Sequence, residues 1–438
     1  MIIPRKIIFW VALMMPFSAA AVYIDGLAVI GFVFALTILL VSVFDAVAGL
    51  KNLRKITMSS NNVFRISVLR KSKLELGINC SGKIGAELVV SPDFPDNLYT
   101  SQSFRPIILS EDNTFLRAEW ECEALERGIY RIPSAVIESD SPVGLWRVRR
   151  KIPLDCEVRA YPNLRPLIRQ LAPVFLSREF SGIHLNRIVG QGREFDRLRE
   201  YMPGDSFSNI SWKSTAKRGK PISKVFRTER VQEIYVVIDA GRMSSRKIDG
   251  TAVIETYLAA ALILCLVTEK NGDLFGLVSF DSSMRHFLKA KSGENHYNSC
   301  REAALSINAG YRTPDYGNLF TQIKERLRKR ALIFFFTDLD DPVLAESFSS
   351  GIKLLKNHHL CSVISVKNKM DVPLFEGNSI SSASDIYAKF AGHLNWMELE
   401  TLKRSLVKQG VSFTSHPPRD FASGLVSKYL EIKEKQLI

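Results

Sequence analysis

Cysteine is scarce and scattered in this 438-residue chain: Cys80, Cys122, Cys156, Cys265, Cys300 and Cys361 include no CxxC or other close pair. That spacing excludes a zinc-ligand pattern and a dense disulfide framework. It leaves reduced thiols that bury as small apolar side chains, although Cys80 and Cys122, both in strand-like segments, could pair if that region lay outside the cell. Histidine is sparse too, with seven residues. No HExxH, nucleophile elbow or Cys/His pairing occurs, so no catalytic constellation is visible and an enzyme is not expected. The phosphate loops GxxxxGKS/T and GxGxxG are also absent.

Positive charge and apolar content are in good supply. The formal net charge is +14 and 46% of residues are apolar, enough at this length to bury the cores of two or three domains. Residues 164–230 hold 14 Lys and Arg against 6 Asp and Glu, more than half of the excess. Such a block suits anionic lipid, an acidic protein surface or nucleic acid.

Residues 7–24 and 27–44 contain no charged side chain, and each run approaches the ~20 residues that cross a bilayer. Only Asp25 and Gly26 separate them, which predicts a hairpin of two transmembrane helices within residues 1–50. Arg5 and Lys6 precede the first run and Lys51, Arg54 and Lys55 follow the second. The positive-inside rule then puts both ends in the cytoplasm, so the expected location is the cytoplasmic (inner) membrane, multi-pass, with the soluble domains inside. The alternative for the first run is a cleavable signal peptide ending near Ser18 to Ala21.

Residues 56–163 switch to period two. Leu116, Ala118, Trp120, Cys122 and Ala124 alternate with Arg117, Glu119, Glu121 and Glu123, a strand with one face in a core. Leu74, Leu76, Ile78 and Cys80 repeat the pattern, and further short strands at 86–90 and 136–137 predict a small antiparallel sandwich. Residues 164–230 follow as a basic connector. Its candidate docking residues are Arg193, Glu194, Arg197, Arg199, Glu200, Tyr201, Asp205, Trp212 and Lys213. Three readings compete: a salt-bridged connector, a protein-docking surface and a nucleic-acid site. The aromatics are spaced for packing as well as for base stacking, and nucleic acid is not the expected partner.

From residue 231 to 438, apolar strands (233–239, 274–280, 331–336, 360–366, 411–414) alternate with helices (250–270, 318–330, 343–355, 397–409 and from 420). This is the pattern of a mostly parallel sheet with covered faces. Ligands of such sheets bind beyond the carboxyl ends of the strands, where Asp239, Asp281 and Asp338 arrive. A magnesium-like ion there would draw on Asp239, Asp338, a shifted Ser244 and Thr313 or Thr337. Otherwise these aspartates cap helices or tie loops.

Gly192 to Phe195, the run Leu198-Arg199-Glu200-Tyr201 with Pro203-Gly204-Asp205, then Ile210, Trp212 and the strand ending at Asp239 resemble a bacterial family, domain of unknown function fifty-eight. Ser141-Pro142-Val143-Gly144-Leu145-Trp146 and Tyr161-Pro162-Asn163 also look familial. The resemblance implies two membrane helices, a sandwich-like domain and a final Rossmann-like domain similar to von Willebrand factor A. It also implies association with MoxR-type AAA+ ATPases in complex assembly or chaperone-like activity. By that similarity Asp239 and Asp338 are the first and last aspartates of a metal site, but Gly241 and Met243 stand where two serines would supply oxygens. The expectation is a non-enzymatic, membrane-anchored scaffold with no cofactor. The alternative is a divalent-cation-dependent binding protein or hydrolase using Asp239 and Asp338.

Overall fold

The computed structural model describes the chain apart from residues 1, 21–26, 61, 81–85, 102–103, 110–114, 181–188, 204, 228–230, 369–370, 375–382 and 436–438. The chain forms two compact units, Met1–Asn163 and Leu164–Ile438.

In the first unit two sheets share one core. The larger runs Ile2–Pro4, Trp146–Tyr161, Gly128–Asp140, Ala86–Pro92, Arg105–Leu109, with Val63–Ser67 also on Trp146–Tyr161; the smaller runs Ile56–Ser60, Ser72–Cys80, Phe115–Ala124, Leu98–Thr100. The alternation legible in the sequence sets the register. Leu74, Leu76 and Ile78 lie opposite Trp120, Ala118 and Leu116, so their apolar faces meet in the core. The same register puts Cys122 opposite Ser72, at the other end of the strand from Cys80. At ~3.4 Å per residue the two thiols are ~27 Å apart along the strand and form no disulfide; all six cysteines are buried thiols.

The expected pair of transmembrane helices is corrected to one. Among the described residues only Val29–Arg54, within helix α2 (Leu27–Arg54), is long and apolar enough to cross a membrane. Helix α1 (Ile7–Ala20) has 14 residues, about 21 Å at ~1.5 Å per residue, against a hydrocarbon core of ~30 Å. Asp25 and Gly26 lie outside the described residues.

Helix α2 has two faces. Val29, Phe32, Leu40 and Phe44 point outward, whereas Ser42, Asp45, Ala46 and Leu53 are buried on the sandwich at the three- and four-residue spacing of one helical face. Gly49 permits the approach, since a Cβ there would lie 2.8 Å from Val148 Cγ2. Asp45 grips the turn at residues 141–146. It accepts from Ser141 Oγ (2.5 Å), Val143 N (2.8 Å) and Leu145 N (3.2 Å), while Trp146 Nε1 donates to the Ser42 carbonyl (3.0 Å).

The second unit carries a six-stranded sheet: β1 (Glu233–Asp239), β2 (Leu274–Phe280), β3 (Met284–Lys291), β4 (Ala331–Phe336), β5 (Leu360–Val366) and β6 (Ser412–His416). Their order is β3-β2-β1-β4-β5-β6, parallel except for β3. The central strands are continuous apolar runs because both faces are covered. Helices Val253–Lys270, Glu294–Ser306 and Phe421–Glu434 contribute to the core on one face, and Tyr316–Arg326, Pro342–Gly351 and Ala383–Lys408 to the core on the other. The described parts of residues 164–230 are folded as well. Leu171, from helix Arg165–Phe180, joins the first of these cores, and Val189–Glu200 pairs antiparallel with Ile222–Arg227.

Candidate functional site at the carboxyl ends of the sheet

In a sheet of this order the winding reverses between β1 and β4, and the crevice beyond their carboxyl ends is where such folds bind ligands. The register of Ile238 with Phe336 brings Asp239 beside Thr337. Asp239 is buried. Its Oδ1 accepts from the Gly241 amide (2.8 Å) and its Oδ2 from Thr337 Oγ1 (2.7 Å) and the Tyr316 hydroxyl (3.4 Å). Ser244 Oγ donates to the Asp239 carbonyl (2.5 Å). Tyr316 is held by edge-on packing against Phe348, with centroids 5.2 Å apart.

Burial pushes the Asp239 carboxyl up to about 6, against the pull of the Thr337, Gly241 and Tyr316 hydrogen bonds. Between its ordinary value near ~3.9 and about 6 the folded protein therefore holds more protons than the unfolded chain. Stability from this group is largest in acid and falls as pH rises through the window, with a slope of up to ~1.4 kcal/mol per pH unit. Urea titrations between pH 4 and 7 are expected to show this decline in the wild type, and Asp239→Asn should flatten it.

Asp338 is also buried. Its Oδ1 accepts from the Asp340 amide (3.1 Å) and its Oδ2 from the Arg246 guanidinium (2.5 Å), whose other terminal nitrogen donates to Asp340 Oδ2 (3.0 Å). Burial, and then the charge of Asp340, push the Asp338 carboxyl up; Arg246 opposes them. Asp281, against the cost of burial, is held below its ordinary value by Arg285 and the Ser283 amide.

A loop closes over this turn. Gly310 N donates to the Ala240 carbonyl (2.7 Å) and Arg242 N to the Arg312 carbonyl (3.0 Å). That closure accounts for Gly241: a Cβ there would meet Asp239 Oδ1 at 2.9 Å, the Arg312 carbonyl at 3.0 Å and Pro314 Cδ at 3.1 Å. A serine does not fit without displacing the loop.

These residues do not fit a divalent ion. Such an ion wants about six oxygen ligands in near-octahedral array. Here both Asp239 oxygens and both Asp338 oxygens are engaged by protein donors, and Arg246 already supplies positive charge between Asp338 and Asp340. Ser244 is turned to the backbone, and Thr313 lies exposed on the loop; the hydroxyl that reaches Asp239 is that of Thr337. Arg246 and Tyr316 were missed in the sequence. A lone arginine in a basic chain carries no signal, but Asp315, which caps the next helix by accepting from Asn318 N (3.0 Å), marked a helix start that puts Tyr316 in its first turn.

The docking residues divide. The side chains of Arg193, Glu194 and Arg197 lie outside the described residues. Arg199 pairs with Asp205 (2.6 Å), which also accepts from Met202 N (3.1 Å), and Tyr201 stacks on Phe207 at 5.9 Å, so these three shape the local turn. Glu200 and Lys213 are exposed, Glu200 facing Lys220 at 3.6 Å, and Trp212 is 71% exposed.

Over 199 residues, 44% of its length, the chain is 24% identical to an uncharacterized protein of Mycobacterium tuberculosis and spans 61% of that protein. Among solved structures it is similar to BatB, a conserved hypothetical protein from Bacteroides thetaiotaomicron, at 15% identity with a TM-score of 0.31, covering 47% of this chain and 99% of that one. It is also similar to the VWA domain of SpRpn10, at 11% identity with a TM-score of 0.28, covering 45% and 95%. Residues 197–380 match the family described as protein of unknown function DUF58.

Proposed function

We propose that the protein is a membrane-anchored, non-enzymatic scaffold that docks a protein partner on the carboxyl-end face of its α/β unit. One observation carries this reading: the loop fastened over Ala240 and Arg242 holds out Tyr311, 93% exposed, above charges that are already satisfied internally. An aromatic presented on a fixed loop is the usual centre of a protein interface. Val343, at the start of the helix after Asp341, is also exposed. The partner that the family resemblance points to is a MoxR-type AAA+ ATPase. A divalent-cation-dependent hydrolase would need Asp239 and Asp338 free of the donors they hold.

Strand pairing supports the anchor. Ile2–Pro4 pairs with Trp146 to Val148, and Ile56–Ser60, which follows α2, belongs to the other sheet of the same unit. This unit thus holds the chain on both sides of the apolar stretch that ends with α2. Lys51, Arg54 and Lys55 at its exit favour the cytoplasmic side.

The test is capture of partners from native membranes by the full-length protein. Tyr311→Ala is expected to leave the melting temperature unchanged and to weaken retention of the captured partner by roughly tenfold or more. Equal retention would remove Tyr311 from the interface, and recovery of no stable partner would count against docking altogether.

A further inference from the structure

A cavity of about 210 Å³ opens on the same carboxyl-end side of the sheet, where the chain after β4 and the ends of β5 and β6 meet the helix Ala383–Lys408. Its lining includes Asp340, Asp371, Glu400, Lys367, Lys403 and Trp396. Two of the three carboxylates have ion-pair partners: Asp340 binds Arg246 (3.0 Å) and Glu400 binds Lys403 (2.9 Å). Asp371 differs. It is 4% exposed; the Asn395 side chain hydrogen-bonds its carboxyl, but its Oδ1 has no hydrogen-bond partner among the described residues.

A buried acceptor left without a donor is costly, and more so when it is a carboxylate, so an oxygen in this position on a cavity wall suits a donor arriving from outside. Trp396 on the same wall offers an aromatic surface, which attracts cations. The space is too small for a drug-sized ligand but sufficient for the head of one side chain. We propose that this cavity binds a single ammonium or guanidinium group with Asp371 as its acceptor. That group is carried either by a lysine or arginine of a protein or by a small free amine. In the protein-borne case the cavity rests on the docking function above, and it gives that partner a required feature, a basic side chain at the contact. Lys367, also on the wall, competes for the same charge.

The experiment is calorimetric titration of the full-length protein in lipid nanodiscs with three probes: agmatine, a capped Gly-Arg-Gly tripeptide and n-butanol. Saturable binding of agmatine or the tripeptide is expected, weakened roughly tenfold or more by Asp371→Asn and tightened by Lys367→Ala, with no matching signal from butanol. Tighter binding of the tripeptide assigns the cavity to a protein side chain, and tighter binding of agmatine to a free amine. Absence of saturable binding by either cation, undiminished binding by Asp371→Asn, or equal binding of butanol would overturn the proposal. If Asp371→Asn does not fold, unchanged or weaker affinity in Lys367→Ala overturns it instead. Partner capture that survives while cation binding fails removes this cavity alone; cation binding that persists without any captured partner removes the docking function and leaves the cavity standing.

Discussion

Arg246→Met is expected to cost the α/β unit about 3 kcal/mol, the lower part of the range for removing one member of a buried ion pair, because Arg246 itself is 30% exposed. In a unit of this size that corresponds to roughly a 10 °C fall in melting temperature. The physical cause is the carboxylate left behind: Asp338 is buried and has Asp340 beside it, and without the guanidinium nothing offsets their repulsion. The loss therefore depends on pH. Removing Arg246 raises the Asp338 carboxyl further, so the folded state loses stability as pH rises through the interval in which Asp338 ionises, and regains it on acidification. The gap between variant and wild type should be widest in alkali and narrow toward pH 5. Arg246→Lys keeps the charge but not the planar fork that reaches two carboxylates, and should fall between them. Urea titration with hydrogen exchange at β1 and β4 measures this directly. A methionine variant that melts within a degree or two of the wild type would mean that Asp338 does not depend on Arg246.

Asp45→Ala should have a comparable effect on the first unit, again about 3 kcal/mol, since it strips the acceptor from three donors at once and strands the amides of Val143 and Leu145. The damage should be local. Exchange protection at those two amides should collapse and the turn at residues 141–146 should become open to protease, while the strand pairs of the sandwich far from the turn keep their protection. Asp45→Asn retains one carbonyl oxygen and should lose less. Protection that survives in the alanine variant would show that the glycine contact at Gly49 and the Trp146 indole suffice to seat the helix. The consequence for function is mechanical. Asp45 ties the apolar helix to a turn between two long strands, so that helix and the sandwich behave as one piece.

Much of this architecture was legible before the structure. β1, β2, β4 and β5 begin and end where the apolar runs do, because a strand covered on both faces needs an unbroken apolar sequence and a polar residue stops it. Strand Phe115–Ala124 was equally plain, since four charges alternating with apolar residues suit only a half-buried strand. β3 and the helix Glu294–Ser306 were not anticipated. β3 is an edge strand of Met, Arg, His, Phe, Leu and Lys residues, half exposed on both faces, so burial imposes no alternation on it. The helix Ala383–Lys408 starts well before the expected residue 397, because its first turns bury little and so carry no apolar period.

The candidate site shows the same boundary. Strand length alone delivers Asp239 and Asp338 to the carboxyl ends of neighbouring strands, and Gly241 and Met243 are plainly not serines. That Thr337 rather than Thr313 reaches Asp239, that Arg246 neutralises Asp338 and Asp340, and that Gly241 is required by the loop at 310–314 could be settled only in three dimensions. Local periodicity reports which residues are hidden from water, since burial acts on each segment through its own pattern. Pairing between a carboxylate and a donor tens of residues away leaves no periodic trace, so the choice of partner belongs to the packed chain.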